Sequence, residues 1–243
     1  MVDLHTHILP NMDDGAGSIE EAILMSEAFR EQLITAVACT SHYYPSKISL
    51  QEYVSKRTEA MKKLEHCGID LKAASETYLH EYLFHYVDLH QLCIFQTDYL
   101  LIELPCTDKW EENIYDMLER LIHYYHVIPI IAHIERYPAS RKNTKWIGRF
   151  LQLGCLIQVN AASILDWKQW PRLKRYFRLG YVHVIASDSH NLSTRPPQLP
   201  QAYAKVSKKL GEEYSRRLKV NAEAVLRGEK LQMISKASSS EFL

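Results

Sequence analysis

No stretch of this chain approaches the ~18 consecutive apolar residues that span a bilayer, and the segment His5-Thr6-His7 is reached without a basic start and an apolar signal core. These absences predict a soluble, cytoplasmic protein with no membrane insertion. Charge of one sign is also lacking: 29 lysines and arginines face 29 aspartates and glutamates. No summed field therefore draws the protein to nucleic acid or to an anionic membrane. The five cysteines, at 39, 67, 93, 106 and 155, form no C-x-x-C pair. Their odd number and wide separation fit reduced thiols in the core rather than a disulfide framework. None opens a Cys-x5-Arg phosphate loop, because Pro45, Ala73, Tyr99, Glu112 and Ala161 stand six residues beyond them. Thiolate-based phosphoryl chemistry is thereby excluded. A GxxxxGK[ST] loop is missing as well, which argues against a P-loop nucleotide enzyme.

What is present suffices for one core: 243 residues, 47% hydrophobic and 24% charged, predict a single domain over 1–243. Seven short runs rich in β-branched and apolar residues, at 2–4, 35–40, 70–75, 98–104, 127–132, 155–160 and 182–187, read as strands. Helical periodicity falls at 49–66, 111–126, 142–153 and 199–227. Ser18-Ile19-Glu20-Glu21 reads as a capping box opening a further helix, with Ile23, Leu24, Ala28 and Leu33 on its apolar face. Strand and helix alternating about every 30 residues predict an α/β fold, a distorted TIM-type barrel of about seven parallel strands with outer helices. The last ~10 residues, around Ser238-Ser239-Ser240, are small and polar and are expected to fray.

In such a barrel the C-terminal strand ends and the loops after them form the active face. Here they carry His5, His7, the Asp13-Asp14 pair, His42, Glu76, Glu103, His133, and the Asp188-Ser189-His190 segment. Alternation along a strand lets His5 and His7, and likewise Asp188 and His190, point the same way. Any one of these residues is more readily a hydrogen-bonded core histidine or a solvated acid; so many at active strand ends are not. Clustered carboxylates would repel one another unless cations joined them. A set of histidines and carboxylates without cysteine suits divalent manganese, iron or zinc, and offers more donors than one ion can use.

At these residues the chain resembles the PHP superfamily, named for polymerase and histidinol phosphatase, and within it the manganese-dependent protein-tyrosine phosphatases of bacterial capsule and exopolysaccharide operons. The resemblance rests on Val2-Asp3-Leu4-His5-Thr6-His7-Ile8, Asp13-Asp14-Gly15, Thr40-Ser41-His42, Leu101-Ile102-Glu103, Ile131-Ala132-His133-Ile134-Glu135-Arg136-Tyr137, Ala186-Ser187-Asp188-Ser189-His190-Asn191 and Arg195-Pro196-Pro197. Many relatives read Thr-Pro-His-His where this chain has Thr40-Ser41-His42-Tyr43. The resemblance implies a trinuclear centre, manganese first, with iron or zinc as alternatives. His5, His7, Glu76 and Asp188 would hold one ion, Glu76 with Glu103 and His133 a second, and Asp14, His42 and His190 a third. Asp14 is preferred to Asp13 because the family pattern puts the ligand second.

It also assigns Arg136 and Arg195 to clamping phosphate, while a metal-activated hydroxide attacks phosphorus. The implied substrate is the phosphotyrosine tail of a bacterial tyrosine autokinase that controls capsule export. Tyr43, Tyr44, Tyr78, Tyr137 and Trp110 fall in rim loops where they could touch a peptide. The nearest enzymatic alternative is a phosphatase for a small phosphomonoester such as histidinol phosphate. An amidohydrolase is disfavoured for want of a clear metal-bridging lysine, and a regulatory binding module by the full complement of ligands and arginines. Oligomeric state is not legible.

Overall fold

The computed structural model describes residues 1–231; the expected frayed tail lies outside them. Each of the seven apolar runs is extended. The first is β1 (Val2–Thr6), and the second splits into β2 (Ala36–Cys39) and β3 (His42–Tyr43). The third splits in the same way into β4 (Asp70–Ala73) and β5 (Glu76–Tyr78). Then follow β6 (Tyr99–Glu103), β7 (Ile128–Ile131), β8 (Leu156–Asn160) and β9 (Val184–Ala186). In place of seven continuous strands the described residues thus hold nine strand elements, ordered β1-β2-β4 in one sheet and β3-β5-β6-β7-β8-β9 in the other. All pairings are parallel, and the sheet curls into a half-barrel with helices outside it.

At the end of β1 the Thr6 N–H goes to Thr40 Oγ1 at 2.9 Å while the Thr40 N–H donates to Thr6 O at 2.9 Å, and beyond that point the paired strands pass together into the second sheet. Cys39 faces Ala73 before the break and His42 faces Glu76 after it, so the pairing offset is unchanged. At the far side of β1, Thr6 bridges Ser189 and the Asp188 N–H donates to His5 O at 2.9 Å. The two sheets therefore meet on both edges of β1, at its C-terminal end.

The helices are α1 (Ile19–Glu31), α2 (Leu50–Lys63), α3 (Glu112–His123), α4 (Pro138–Lys142), α5 (Lys145–Leu153), α6 (Ala161–Leu165), α7 (Trp170–Arg178), α8 (Leu199–Leu210) and α9 (Glu212–Leu226). Ser18 caps α1 through the Glu21 N–H, as the capping box required. The buried face of that helix is Ala22, Met25, Ser26 and Phe29, whereas Ile23, Leu24 and Leu33 are exposed. The expected apolar face is thus rotated: Phe29, with Met25 one turn before it, docks and fixes the orientation. The stretch 199–227 breaks at Gly211, which adopts φ 99° and ends α8 where an L side chain would be strained. Helices α4, α6 and α7 were not anticipated.

Within the curl, Leu4, Leu101, Ile130, Leu156 and Val184 pack with Ala222 and Val225 of α9, which closes the end opposite the site. Outward residues of the strands, such as Val37 on β2, Leu100 and Ile102 on β6 and Ile157 on β8, pack with the helical layer. The β1–β2 register shifts between Asp3 and Thr6. Leu4 therefore enters the inner core while its neighbour His5 also faces inward, a combination that regular alternation forbids.

Candidate metal centre

The open end of the curl collects all nine expected ligand residues. His5 and His7 stand with their Nε2 atoms 3.2 Å apart. Glu76 Oε2 lies 3.1 Å from His5 Nε2, 3.3 Å from His7 Nε2 and 3.1 Å from His42 Nδ1. Asp188 Oδ1 lies 3.3 Å from His5 Nε2, 3.5 Å from His7 Nε2 and 3.6 Å from His190 Nδ1. Asp14 Oδ1 approaches His190 Nε2 at 3.3 Å and His42 Nε2 at 3.6 Å. Glu103 Oε2 is 3.6 Å from His42 Nδ1, and His133 Nε2 is 2.7 Å from Glu76 Oε1.

Ligand-type atoms fall into three overlapping groups, each within 4.8 Å: His5, His7, Glu76 and Asp188; His7, Asp14, His42 and His190; and His42, Glu76 and Glu103. The first is the set implied for one ion, and the second is the set implied for another with His7 added. In the third, His42 stands where His133 was expected, while His133 bonds the other oxygen of Glu76. Buried donor atoms at this end lack hydrogen-bond partners, among them His42 Nδ1, Glu76 Oε2, Glu103 Oε2, His133 Nδ1, Asp188 Oδ1 and His190 Nε2. Leaving so many polar atoms unpaired costs free energy that divalent cations would remove, so the residues fit a metal centre. Hard carboxylate oxygens mixed with imidazole nitrogens match manganese, iron or zinc.

Two residues of the cluster hold a strained backbone: His133 at φ 31° and Asp188 at φ 55° are non-glycine residues in the left-handed region. Their turns close on the cluster through the side chain, which glycine would forfeit.

Further polar side chains hydrogen-bond the cluster residues and orient them, and sequence reasoning missed most of these. Asp13 Oδ2 accepts from His7 Nδ1 at 2.8 Å and from the His42 N–H at 2.7 Å, and Oδ1 accepts from the Gly15 N–H at 3.0 Å. That bond leaves His7 Nε2 to face the cluster. Gln158 Oε1 accepts the His133 N–H at 2.6 Å and lies 3.4 Å from His5 Nδ1. Gln158 Nε2 donates to Asn160 Oδ1 at 2.8 Å, and Asn160 Nδ2 donates to Asp188 Oδ2 at 2.6 Å. A signal existed: Gln158 and Asn160 are polar at alternate positions of an otherwise apolar strand, at its active end.

The arginines converge here too. Arg136 Nη1 is 3.2 Å and Arg195 Nη2 2.7 Å from Asp188 Oδ2, and both guanidiniums are partly exposed. Asp188 is thus held from outside by Arg136, Arg195 and Asn160 while its inner oxygen faces histidines.

Burial opposes charge throughout, and the outcome differs by neighbour. It would lower His5, but Glu76 and Asp188 outweigh it and hold the pKa above the usual imidazole range. It would lower His7, which Asp13 raises well above that range. Burial would raise Glu76, yet His5 and His133 keep it well below the carboxylate range. Burial and the charge of His7 push His190 down to about 4. Cations bound here would supply the positive charge toward which these carboxylates bias His5 and His7.

Of the expected rim aromatics, Tyr43, Tyr137 and Trp110 are buried. Tyr137 accepts the Leu104 N–H, and Trp110 donates to Pro105 O, so both belong to the core. Only Tyr44, stacked on His42 with ring centroids 5.3 Å apart, and Tyr78, 5.7 Å from Tyr44, remain partly exposed at the mouth. Four cysteines are buried as expected, and Cys106 is exposed. No helix among the described residues is long and apolar enough to cross a membrane.

The family described as "Capsular polysaccharide synthesis, CpsB/CapC" matches residues 1–227. The chain is 29% identical over 243 residues to tyrosine-protein phosphatase CpsB of Streptococcus agalactiae, covering 93% of this chain and 98% of that one. It is 30% identical over 235 residues to CpsB of Streptococcus pneumoniae, covering 91% and 96%. Among solved structures, one from a study of YwqE from Bacillus subtilis and CpsB from Streptococcus pneumoniae, described as unique metal-dependent tyrosine phosphatases, superposes with a TM-score of 0.86. Identity there is 27%, over 98% of this chain and 100% of that one.

Proposed function

The chain belongs to the CpsB/CapC family of capsular polysaccharide synthesis, and from that premise we propose that it is a metal-dependent protein-tyrosine phosphatase. The observation that carries this is the cluster itself: partnerless buried donor atoms from scattered strand ends meet in overlapping groups with two arginines beside them. The proposed centre takes three divalent ions, manganese first and iron or zinc as alternatives, on His5, His7, Asp14, His42, Glu76, Glu103, His133, Asp188 and His190. Placing Asp14 rather than Asp13 in that set is supported by the two bonds that Asp13 spends on His7 and the His42 backbone. The whole of 1–243 is read as one domain, a seven-segment barrel interrupted at the joint between its sheets.

When bound, such ions lower the pKa of coordinated water toward ~7 and draw charge from phosphoryl oxygens. The remaining work falls to the chain. Arg136 and Arg195 are each anchored on Asp188 by one nitrogen, leaving guanidinium donors free to take phosphoryl oxygens as a fork. Asn160 keeps Asp188 aligned while the arginines engage substrate. A tyrosyl leaving group, with a conjugate acid pKa of ~10, departs more easily than an alkoxide, so no strong acid is demanded of the mouth.

The proposed substrate is the phosphotyrosine tail of a bacterial tyrosine autokinase in capsule or exopolysaccharide synthesis, and the proposed place of action is the cytoplasm. The test is turnover of a phosphotyrosine peptide and of histidinol phosphate by protein loaded with manganese, before and after chelation. Turnover of the peptide that is abolished by chelation is expected. Preference for histidinol phosphate would move the protein to the small-substrate alternative, and chelator-resistant turnover would overturn the metal-dependent reading.

A further inference from the structure

The two strand pairs that break are the ones that deliver His42 and Glu76, and one helix holds both breaks. On α2, Tyr53 and Arg57 are one turn apart, on the same face, and buried. The Tyr53 hydroxyl donates to Ser41 O at 2.6 Å, immediately before His42. Arg57 Nη1 donates to Ala74 O at 2.8 Å, two residues before Glu76, and Nη2 donates to Gln91 O at 2.8 Å. Tyr53 also reaches Ala74 O at 3.4 Å. Ser41 O and Ala74 O sit at the step where ladder pairing lapses between Cys39–Ala73 and His42–Glu76. The Glu76 N–H is shared between Thr40 O at 3.0 Å and Ser41 O at 3.3 Å, so Ser41 O has only a long backbone donor, and carbonyls in a buried step are costly without good ones.

Arg57 pairs with no carboxylate among the described residues, although it is only 5% exposed. A buried cation given over to backbone carbonyls is an expensive way to support a helix. Its position explains the expense. Only in the group His42, Glu76 and Glu103 do both residues that follow the breaks occur together.

We propose that Tyr53 and Arg57 are positioning residues for the metal centre: by holding the two strand steps, they set the separation of His42 and Glu76 and hence the affinity of the ion that these share with Glu103. This rests on the metal-dependent reading above. Neither side chain touches the cluster, so the effect passes through the backbone.

The experiment compares full-length wild type, Tyr53→Phe, Arg57→Met and Arg57→Lys by calorimetric titration with manganese chloride, circular dichroism and peptide turnover. Tyr53→Phe removes one hydroxyl and leaves the packing in place. It and Arg57→Met are expected to fold and to bind the weakest manganese equivalent at least tenfold less tightly, with the tighter equivalents less affected. Arg57→Lys, which keeps one donor, is expected to recover part of the loss. A folded Tyr53→Phe with wild-type manganese affinity and only a lower Tm would overturn the inference, even if Arg57→Met did not fold. Wild type that bound no manganese would instead sink the metal-dependent reading and this inference with it.

Discussion

Arg195 Nη2 lies 2.7 Å from Asp188 Oδ2, while the other oxygen of that carboxylate, Oδ1, faces His5 at 3.3 Å. One side chain therefore joins the arginine pair to the histidine cluster. If the arginines bind phosphate and the histidines bind metal, the two tasks separate by mutation. Arg195→Ala leaves Asp188 still held by Asn160 and Arg136, so manganese stoichiometry is expected to be unchanged. Phosphotyrosine turnover, measured as kcat/KM, is expected to fall by about 100-fold, about 2.7 kcal/mol of transition-state stabilisation. Arg195→Lys should not restore it, because an ammonium cannot bind two oxygens as a planar fork. Unchanged kcat/KM in the alanine variant would remove Arg195 from the clamp.

The proposed role of Asp13 is to orient His7 rather than to bind metal. Its bonds to His7 Nδ1 and to the His42 backbone tie together two strand ends. Replacing Asp13 with Asn leaves one oxygen to accept where two now do, and removes the charge that holds His7 in its orientation. Manganese affinity is expected to weaken about 10- to 100-fold, the usual cost of losing a carboxylate behind a metal-binding histidine. Equilibrium dialysis measures this, and an unaltered dissociation constant would show that Asp13 is dispensable.

Gly15 is fixed by space. A Cβ there would lie 2.1 Å from His7 O and 2.5 Å from His7 Cβ, and backbone cannot yield as a flexible side chain can. Gly15→Ala must push the 13–16 loop off β1 and displace His7, which contributes to two of the three donor groups. The expected result is loss of bound manganese together with about 1–3 kcal/mol of stability. Elemental analysis and urea unfolding check both; a variant that keeps its metal would mean the loop can move away freely.

His183 supplies a pH effect remote from the cluster. It is buried, its Nδ1 accepts the Ile157 N–H at 3.1 Å, and burial pushes its pKa down to about 4. Unfolding restores the usual value of 6.5, so the unfolded chain binds the extra proton between those values. The contribution of this group is thus complete above pH 6.5 and is lost as pH falls toward 4. At pH 5 the loss is about 2 kcal/mol. Urea unfolding of wild type and His183→Gln at pH 7 and pH 5 should show the gap between them narrowing at the lower pH. A gap that stayed constant would mean His183 titrates normally in the fold.

The converging cluster was legible because its chemistry is carried by residue type and by place: histidines and acids that end apolar runs have few other reasons to be there. The supporting groups were harder to read for a matching reason. Gln158 acts on His133 through a backbone N–H, and Tyr53 and Arg57 act on carbonyls, so nothing in their identity marks a partner far along the chain. The first helix shows a different limit. Ile23 and Leu24 are as apolar as Met25 and Phe29, and only docking against the sheet selected which pair to bury. The same holds at the rim, where Tyr43, Tyr137 and Trp110 turned into the core while Tyr44 stayed at the mouth.

Residue order alone therefore determined the alternation of strand and helix, the capping of α1 and the inventory of donors at the active strand ends. These are local matters, set by side-chain period and by hydrogen-bonding capacity over a few residues. Tertiary structure decided where β2 and β4 break, that His42 rather than His133 stands within reach of both Glu76 and Glu103, and that Asp188 serves arginines and histidines at once. Those outcomes depend on distances between segments far apart in the chain, which packing fixes to a fraction of an ångström and no local pattern encodes.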